Sequence, residues 1–180
     1  GGMAREVATY LTKDIGIKTF EYDEIKEARS DNPTIIAIGD CSVRKKIAEE
    51  YPHFYYPSLV FGNSIGNNYF GAGTIVCPGA VITEDVETGK HCIINVNANL
   101  HHNCKLGNYV TVSPGAVICG NVEIGDEVFI GANATILPGI KICSNVMIGA
   151  GSVVTKNIEH FGVYAGNPCR SLVKSDVCLD

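Results

Sequence analysis

The stretch VSPGAVICGNVEIGDEVFIGANATI, Val112 to Ile136, repeats an aliphatic residue every six positions: Val112, Ile118, Ile124, Ile130, Ile136. Extended in both directions, the same step runs from Phe70 through Val76, Ile82, Thr88, Ile94, Leu100 and Leu106 to Ile142, Ile148 and Val154, and Thr88 alone is not apolar. Four residues after each of these stands a small or β-branched residue such as Ala80, Cys92, Ala98, Cys104, Ala116 or Ala134. A period of six fits neither the 3.6 of an amphipathic helix nor the simple alternation of one long strand. It fits short strands broken by a corner at every sixth residue, which is a β-solenoid. Gly71, Gly89, Gly107, Gly125, Gly131 and Gly149 follow directly after the inward aliphatic, where we expect corner backbone angles that a side chain would resist.

This pattern resembles the hexapeptide repeat of left-handed parallel β-helices, in which three hexads make one triangular coil. The resemblance implies that residues eighteen apart stack vertically. The outward strand positions then sort into three columns. They are Ile75, Ile93, Thr111, Phe129 and Met147; Val81, Asn99, Val117, Thr135 and Val153; and Glu87, Lys105, Glu123, Lys141 and Glu159. The third alternates in sign and belongs in water. The other two look buried, and a homotrimer closed around a triangular prism would cover them. An N-terminal segment folded over one face is the competing expectation.

Composition narrows the partners. The chain has 180 residues, a formal charge of -5 and no basic stripe, so a nucleic-acid partner is not expected. No apolar run approaches the roughly 20 residues of a membrane span, and eight cysteines in a chain of this size read as reduced thiols. Together these predict a cytoplasmic protein.

Residues 1–58 read as a small α/β unit, 59–160 as the solenoid and 161–180 as a tail. The first contains amphipathic stretches at Ala4–Leu11 and Asp23–Ala28, a strand at Thr34–Ile38 and a helix from about Ser42 to Tyr51. Gly39 and Asp40 end that strand ahead of a helix bearing Arg44, a usual place for a ligand, although an ordinary strand-to-helix turn explains them equally well. The opening Gly1-Gly2-Met3 reads as though the chain began inside a phosphate-binding turn whose preceding strand is missing. Arg170 and Lys174 in the tail face either an anionic ligand or solvent.

His101 and His102 lie together in Asn99-Leu-His-His-Asn-Cys-Lys-Leu-Gly107. With Leu100 and Cys104 inward, His101 to Asn103 form an exposed corner. Gly120 lies one coil above His102 and Glu84 one coil below. A histidine can accept a proton from an attacking amine or hydroxyl, and a bare backbone N–H can stabilise the developing oxyanion, so acyl transfer is chemically open here. Surface histidines without a role are the bland alternative. A metal site is disfavoured, because Cys92 and Cys104 take inward positions and His91, His101 and His102 lack the spacing of zinc-dependent γ-class carbonic anhydrases.

Taken together, Ile36-Ala-Ile-Gly-Asp40 with Arg44, Asn95 through Gly107, Val112 through Gly120 and Gly162 through Arg170 resemble the sialic acid O-acetyltransferase (NeuD-like) family. That family includes acetyltransferases of nucleotide-linked 4-amino sugars. The resemblance implies acetyl-CoA as donor without a metal, a homotrimer with sites in clefts between solenoids, and an N-terminal domain that holds the nucleotide-linked sugar. By the same resemblance His102 is the general base, Gly120 the backbone donor to the thioester oxygen, and Ala132 and Ala150 line the cofactor. Asn95 and Thr111 match positions near cofactor or substrate, and Gly2, Gly39, Asp40 and Arg44 match the nucleotide-binding turns.

Three departures stand out. Asn103 replaces the acidic residue usual after the base, for which we expect Glu84, with Asp85 in reserve, to substitute. Met3 stands where a histidine is common, and the missing first strand leaves the nucleotide site open. The expected reaction is N-acetylation, with O-acetylation of a sialic-acid-like sugar or a noncatalytic sugar-nucleotide module as alternatives.

Overall fold

A computed structural model describes residues 33–172. Two-residue strands alternate with four-residue corners and build three parallel sheets of eight, six and five strands, each strand pairing with those one coil before and after it. The first face stacks Ile75, Ile93, Thr111, Phe129 and Met147 in register. The second stacks Val81, Asn99, Val117, Thr135 and Val153. The third stacks Glu87, Lys105, Glu123 and Lys141. The fold is a left-handed parallel β-helix: the six-residue period led us to expect the solenoid, and the resemblance to hexapeptide-repeat proteins implied its hand.

Both ends of the solenoid are trimmed. Leu59 pairs with Ile75 and Ile142 with Ile158, each sixteen residues apart rather than eighteen. Glu159 consequently falls out of the charged column to which we had assigned it. The shortened last coil brings Gly162–Ala165 onto the first face beside Val146–Ile148, and Arg170–Ser171 closes that sheet as its antiparallel edge.

The core is the stack of inward residues, with Val76, Ile94, Val112, Ile130 and Ile148 wholly buried. Each removes an aliphatic side chain from water, about 1.5–3 kcal/mol apiece. Thr88, the exception in the repeat, is also buried, and its hydroxyl accepts from the Gly71 N–H at 3.3 Å. A polar rung is tolerated because it is hydrogen-bonded.

The corners correct our reason for the glycines. The left-handed position is the third corner residue, occupied among others by Asp85, His91, Asn97, Asn103, Asn121, Asn133 and Asn145 at φ between 52° and 61°. Asn and Asp tolerate this conformation better than most residues. Gly71 and Gly131 stand two residues earlier without positive φ, and a Cβ there would strike the backbone of the next coil, for Gly131 the Ala150 N at 2.5 Å. Close stacking selects these glycines.

The N-terminal part of the described chain lies on the first face. Helix α1, Cys41–Glu50, is capped by Asp40, whose carboxylate accepts from the Val43 N–H at 2.9 Å and Ser42 Oγ at 2.7 Å. Residues 34–38, where we expected a strand, form none; a bridge joins Pro33 to Tyr55. Ile35 and Ala37 pack on Ile75, Cys77 and Ile93, while Ile36 packs with Ile47 and Ala48 of α1. The segment serves as a cover, so its own chain buries the lower first face. Farther along that face Met147 remains 49% exposed.

Candidate active site

The site is built at the corner joining the second face to the third. Leu100 and Cys104 anchor their side chains in the core, and the residues between them are turned outward. His102 is exposed there. Its backbone carbonyl accepts from the Asn121 N–H at 2.9 Å, which ties its corner to the one above. A Cβ on Gly120 would lie 2.5 Å from His102 Nε2 and 2.6 Å from its Cε1. The imidazole therefore rests against a stretch of main chain that has room for it only because residue 120 lacks a side chain.

Asn103 donates from Nδ2 to His102 Nδ1 at 3.2 Å and to Asn121 Oδ1 at 3.2 Å. Asn121 escaped the sequence reading, although its signal was available: it lies one coil above Asn103. Glu84 and Asp85 occupy the coil below, and the ion pairs of the described residues include none between Glu84 and His102. Chemically, the corner offers a solvent-accessible imidazole, oriented by an uncharged amide, beside bare main chain.

Ala132 is half-buried and Ala150 exposed. They lie one coil apart on the corner joining the first face to the second, as does Asn95, whose Oδ1 accepts from the Val96 N–H at 2.8 Å. Within one chain these residues do not meet His102 and Gly120; the second face separates them. Two hollows in the surface lie along the charged face between Lys105, Glu123 and Lys141, and beside the tail near Lys156 and Arg170.

Two assignments change outright. Arg44 is wholly buried, and all five of its N–H donors are taken. Nε donates to the His91 carbonyl at 2.7 Å, and Nη2 to the Tyr109 carbonyl at 2.7 Å and to Thr111 Oγ1 at 2.9 Å. Nη1 serves the carbonyls of Ile38, Gly39 and Asp40. Arg44 is thus a staple between cover and solenoid, with nothing left for a nucleotide. Thr111, expected near the cofactor, is also buried under α1, where its hydroxyl donates to the Gly39 carbonyl at 2.9 Å.

Gly39 spends its carbonyl on these contacts. Asp40 caps the helix, and the Val43 N–H and Ser42 hydroxyl hold its carboxyl below the usual range. Gly2 and Met3, the stretches Ala4–Leu11 and Asp23–Ala28, and Lys174 lie outside the described residues. Arg170 is exposed and donates to the neighbouring Cys169 carbonyl at 2.8 Å.

The thiols of Cys41, Cys77, Cys92 and Cys104 and the ring of His91 are buried. The cysteines among the described residues form no disulfide. Cys92 Sγ lies 3.1 Å from the Gly107 carbonyl, and burial pushes its thiol up to about 12. His91 is buried, stacked on Tyr109 at 5.5 Å and edge-on to Tyr56 at 4.7 Å; burial, with Arg44 nearby, holds it neutral down to about 4. No three His, Cys, Asp or Glu side chains converge among the described residues. Nor is any helix among them long and apolar enough to cross a membrane.

These features define a hexapeptide-repeat transferase, and residues 121–156 match the family model for bacterial transferase hexapeptide repeats. The chain belongs to the family of hexapeptide-repeat sugar acetyltransferases that includes the acetyltransferase domain of PglB from Neisseria gonorrhoeae. It is 30% identical to that domain over 78% of this chain and 70% of the other, with a TM-score of 0.75. PerB from Caulobacter crescentus, solved with CoA and GDP-perosamine, is 28% identical over 76% of this chain and 68% of its own, with a TM-score of 0.73. WeeI from Acinetobacter baumannii is 25% identical over 95% and 92%, with a TM-score of 0.74. Comparison with curated proteins by sequence returned no match.

Proposed function

We propose that the protein is an acetyl-CoA-dependent N-acetyltransferase acting on the amino group of a nucleotide-linked sugar. The observation that carries this reading is the exposed His102 ring lying against the unsubstituted backbone of Gly120. Support comes from the relatives: the PglB domain was solved with acetyl coenzyme A, and PerB with CoA and GDP-perosamine.

In the reaction the neutral amine attacks the thioester carbonyl, forming the C–N bond, and the carbonyl electrons move to oxygen. His102 Nε2 takes a proton from the resulting ammonium, and the Gly120 N–H steadies the oxyanion. The intermediate then collapses with loss of the C–S bond. The thiolate takes the proton back from the imidazolium, leaving amide and free CoA. The uncharged partner Asn103 suits an amine, a better nucleophile than a hydroxyl, because an amide cannot raise the base's pKa as a carboxylate would.

The working unit is a cytoplasmic homotrimer. Val81, Val117 and Val153 on the second face are only half-buried in a single chain, and that face lies between the His102 corner and the Ala132–Ala150 corner. A neighbour docked there would form a cleft lined by His102 and Gly120 from one chain and Ala132 and Ala150 from another, and acetyl-CoA would occupy it. The test is thiol release from acetyl-CoA with a panel of UDP-, GDP- and dTDP-linked amino sugars. Release should fall by at least about a hundredfold in His102→Ala. Undiminished release would remove the histidine from the mechanism, and CoA binding without release on any acceptor would favour the noncatalytic module.

A further inference from the structure

The residue that follows the candidate base is an amide, and a second amide stands one coil above it. Asn103 and Asn121 occupy the same left-handed corner position, at φ 58° and 61°, so their side chains repeat one another along the solenoid. A single atom, Asn103 Nδ2, links the set: it donates to His102 Nδ1 and to Asn121 Oδ1, each at 3.2 Å.

This arrangement decides where the ring hydrogen sits. While Nδ1 accepts from an amide, the neutral ring must carry its hydrogen on Nε2, the nitrogen that faces the place a side chain on Gly120 would take. Nε2 then has no lone pair with which to take a proton. For Nε2 to act, the hydrogen must lie on Nδ1, and Nδ1–H needs an acceptor. Turning the Asn103 amide about Cβ–Cγ brings Oδ1 to that place. The same turn would set Asn103 Oδ1 against Asn121 Oδ1, two acceptors without a hydrogen between them. Asn121 must turn as well and present its Nδ2. The two amides are therefore coupled, and each orientation of the pair corresponds to one tautomer of His102.

We propose that Asn121 is a positioning residue which, through Asn103, sets the tautomer of His102, so that a neutral two-amide relay replaces the carboxylate usual beside the base. The effect on turnover rests on His102 acting as the base; the tautomer control does not.

The two parts are separable by experiment on the full chain labelled with 15N-histidine. Two-bond 1H–15N correlations are read above the imidazole's titration range, and His102 is assigned from the signals lost in His102→Gln. In Asn121→Asp the new carboxylate can only accept, which pins Asn103 Nδ2 in its donating orientation; the Nε2–H tautomer should dominate. In Asn103→Asp a carboxylate accepts directly from the ring, and the Nδ1–H tautomer should dominate. Asp tolerates the left-handed corner at both positions, so the fold is preserved. The same tautomer ratio in the two variants overturns the relay. With opposite tautomers, turnover of Asn121→Asp should fall by about tenfold or more, and wild-type turnover there would overturn the relay's catalytic role. Full turnover in His102→Ala would instead defeat the base reading and leave the tautomer result standing.

Discussion

At the residue scale, Gly120 is where the absence of an atom matters most. A methyl group there would occupy the space of the His102 ring, with Nε2 at 2.5 Å, and the ring is the part free to move. Gly120 has no positive φ, so its replacement adds no backbone strain. Gly120→Ala should keep its melting temperature to within a few degrees while kcat falls about a hundredfold, as expected when a reacting group is displaced by an ångström. Thermal unfolding and steady-state kinetics on the same preparation check this.

His91 makes the opposite kind of prediction, one of stability without catalysis. Its folded pKa is depressed from 6.5 to about 4, so on acidification the unfolded chain takes up the proton first. Stability is held above about pH 6.5 and lost progressively as pH falls toward 4, by about 3 kcal/mol from this one group. His91→Asn, which tolerates the φ of 52° at that corner, should be less stable near neutrality but have a flatter acid limb. Urea unfolding at a series of pH values and fixed protein concentration separates the two effects.

At the scale of elements, repeat and cover were unequally legible. The hexad announces itself because every coil meets the same constraint: one aliphatic residue inward, one small residue beside it, and a corner that only Asn, Asp, Gly or a few others turn easily. The cover is a single event with no repetition. Its helix was expected from about Ser42 to Tyr51 and is found at Cys41–Glu50. Its docking was hidden, because a buried arginine in a helix looks like any basic surface residue until the carbonyls around it are in place. Those carbonyls belong to residues 38–40, 91 and 109, brought together only by folding. Arg44→Met would leave them buried without donors and should cost about 3 kcal/mol or more. Arg44→Lys should recover little, because an ammonium cannot span the same set. Denaturant midpoints, together with hydrogen exchange of the α1 amides, would register the loss and locate it at the cover.

At the scale of the whole molecule, the two outward apolar columns have different fates. The first is met largely by the chain's own Ile35, Ala37 and α1, with Lys45 reaching Glu127 at 2.6 Å. The second has no such cover among the described residues and is the face on which we place the trimer contact. A charge there should be decisive: Val117→Glu is expected to yield monomer by sedimentation velocity and to abolish acetyl transfer, because the cleft would lose one of its walls. An assembled, active Val117→Glu protein would move the interface elsewhere.

The period of six was enough to establish the solenoid, and the resemblance to coils of three hexads implied its three columns and the stacking of His102 beneath Gly120, because register in a β-helix is arithmetic: residues a coil apart must be neighbours. Tertiary structure alone decided what lies across the columns. Arg44 and Thr111 went from ligand candidates to buried fastenings, and Asn121 entered the site, since hydrogen-bond partners remote in sequence are chosen by packing, and packing leaves no periodic trace in the chain.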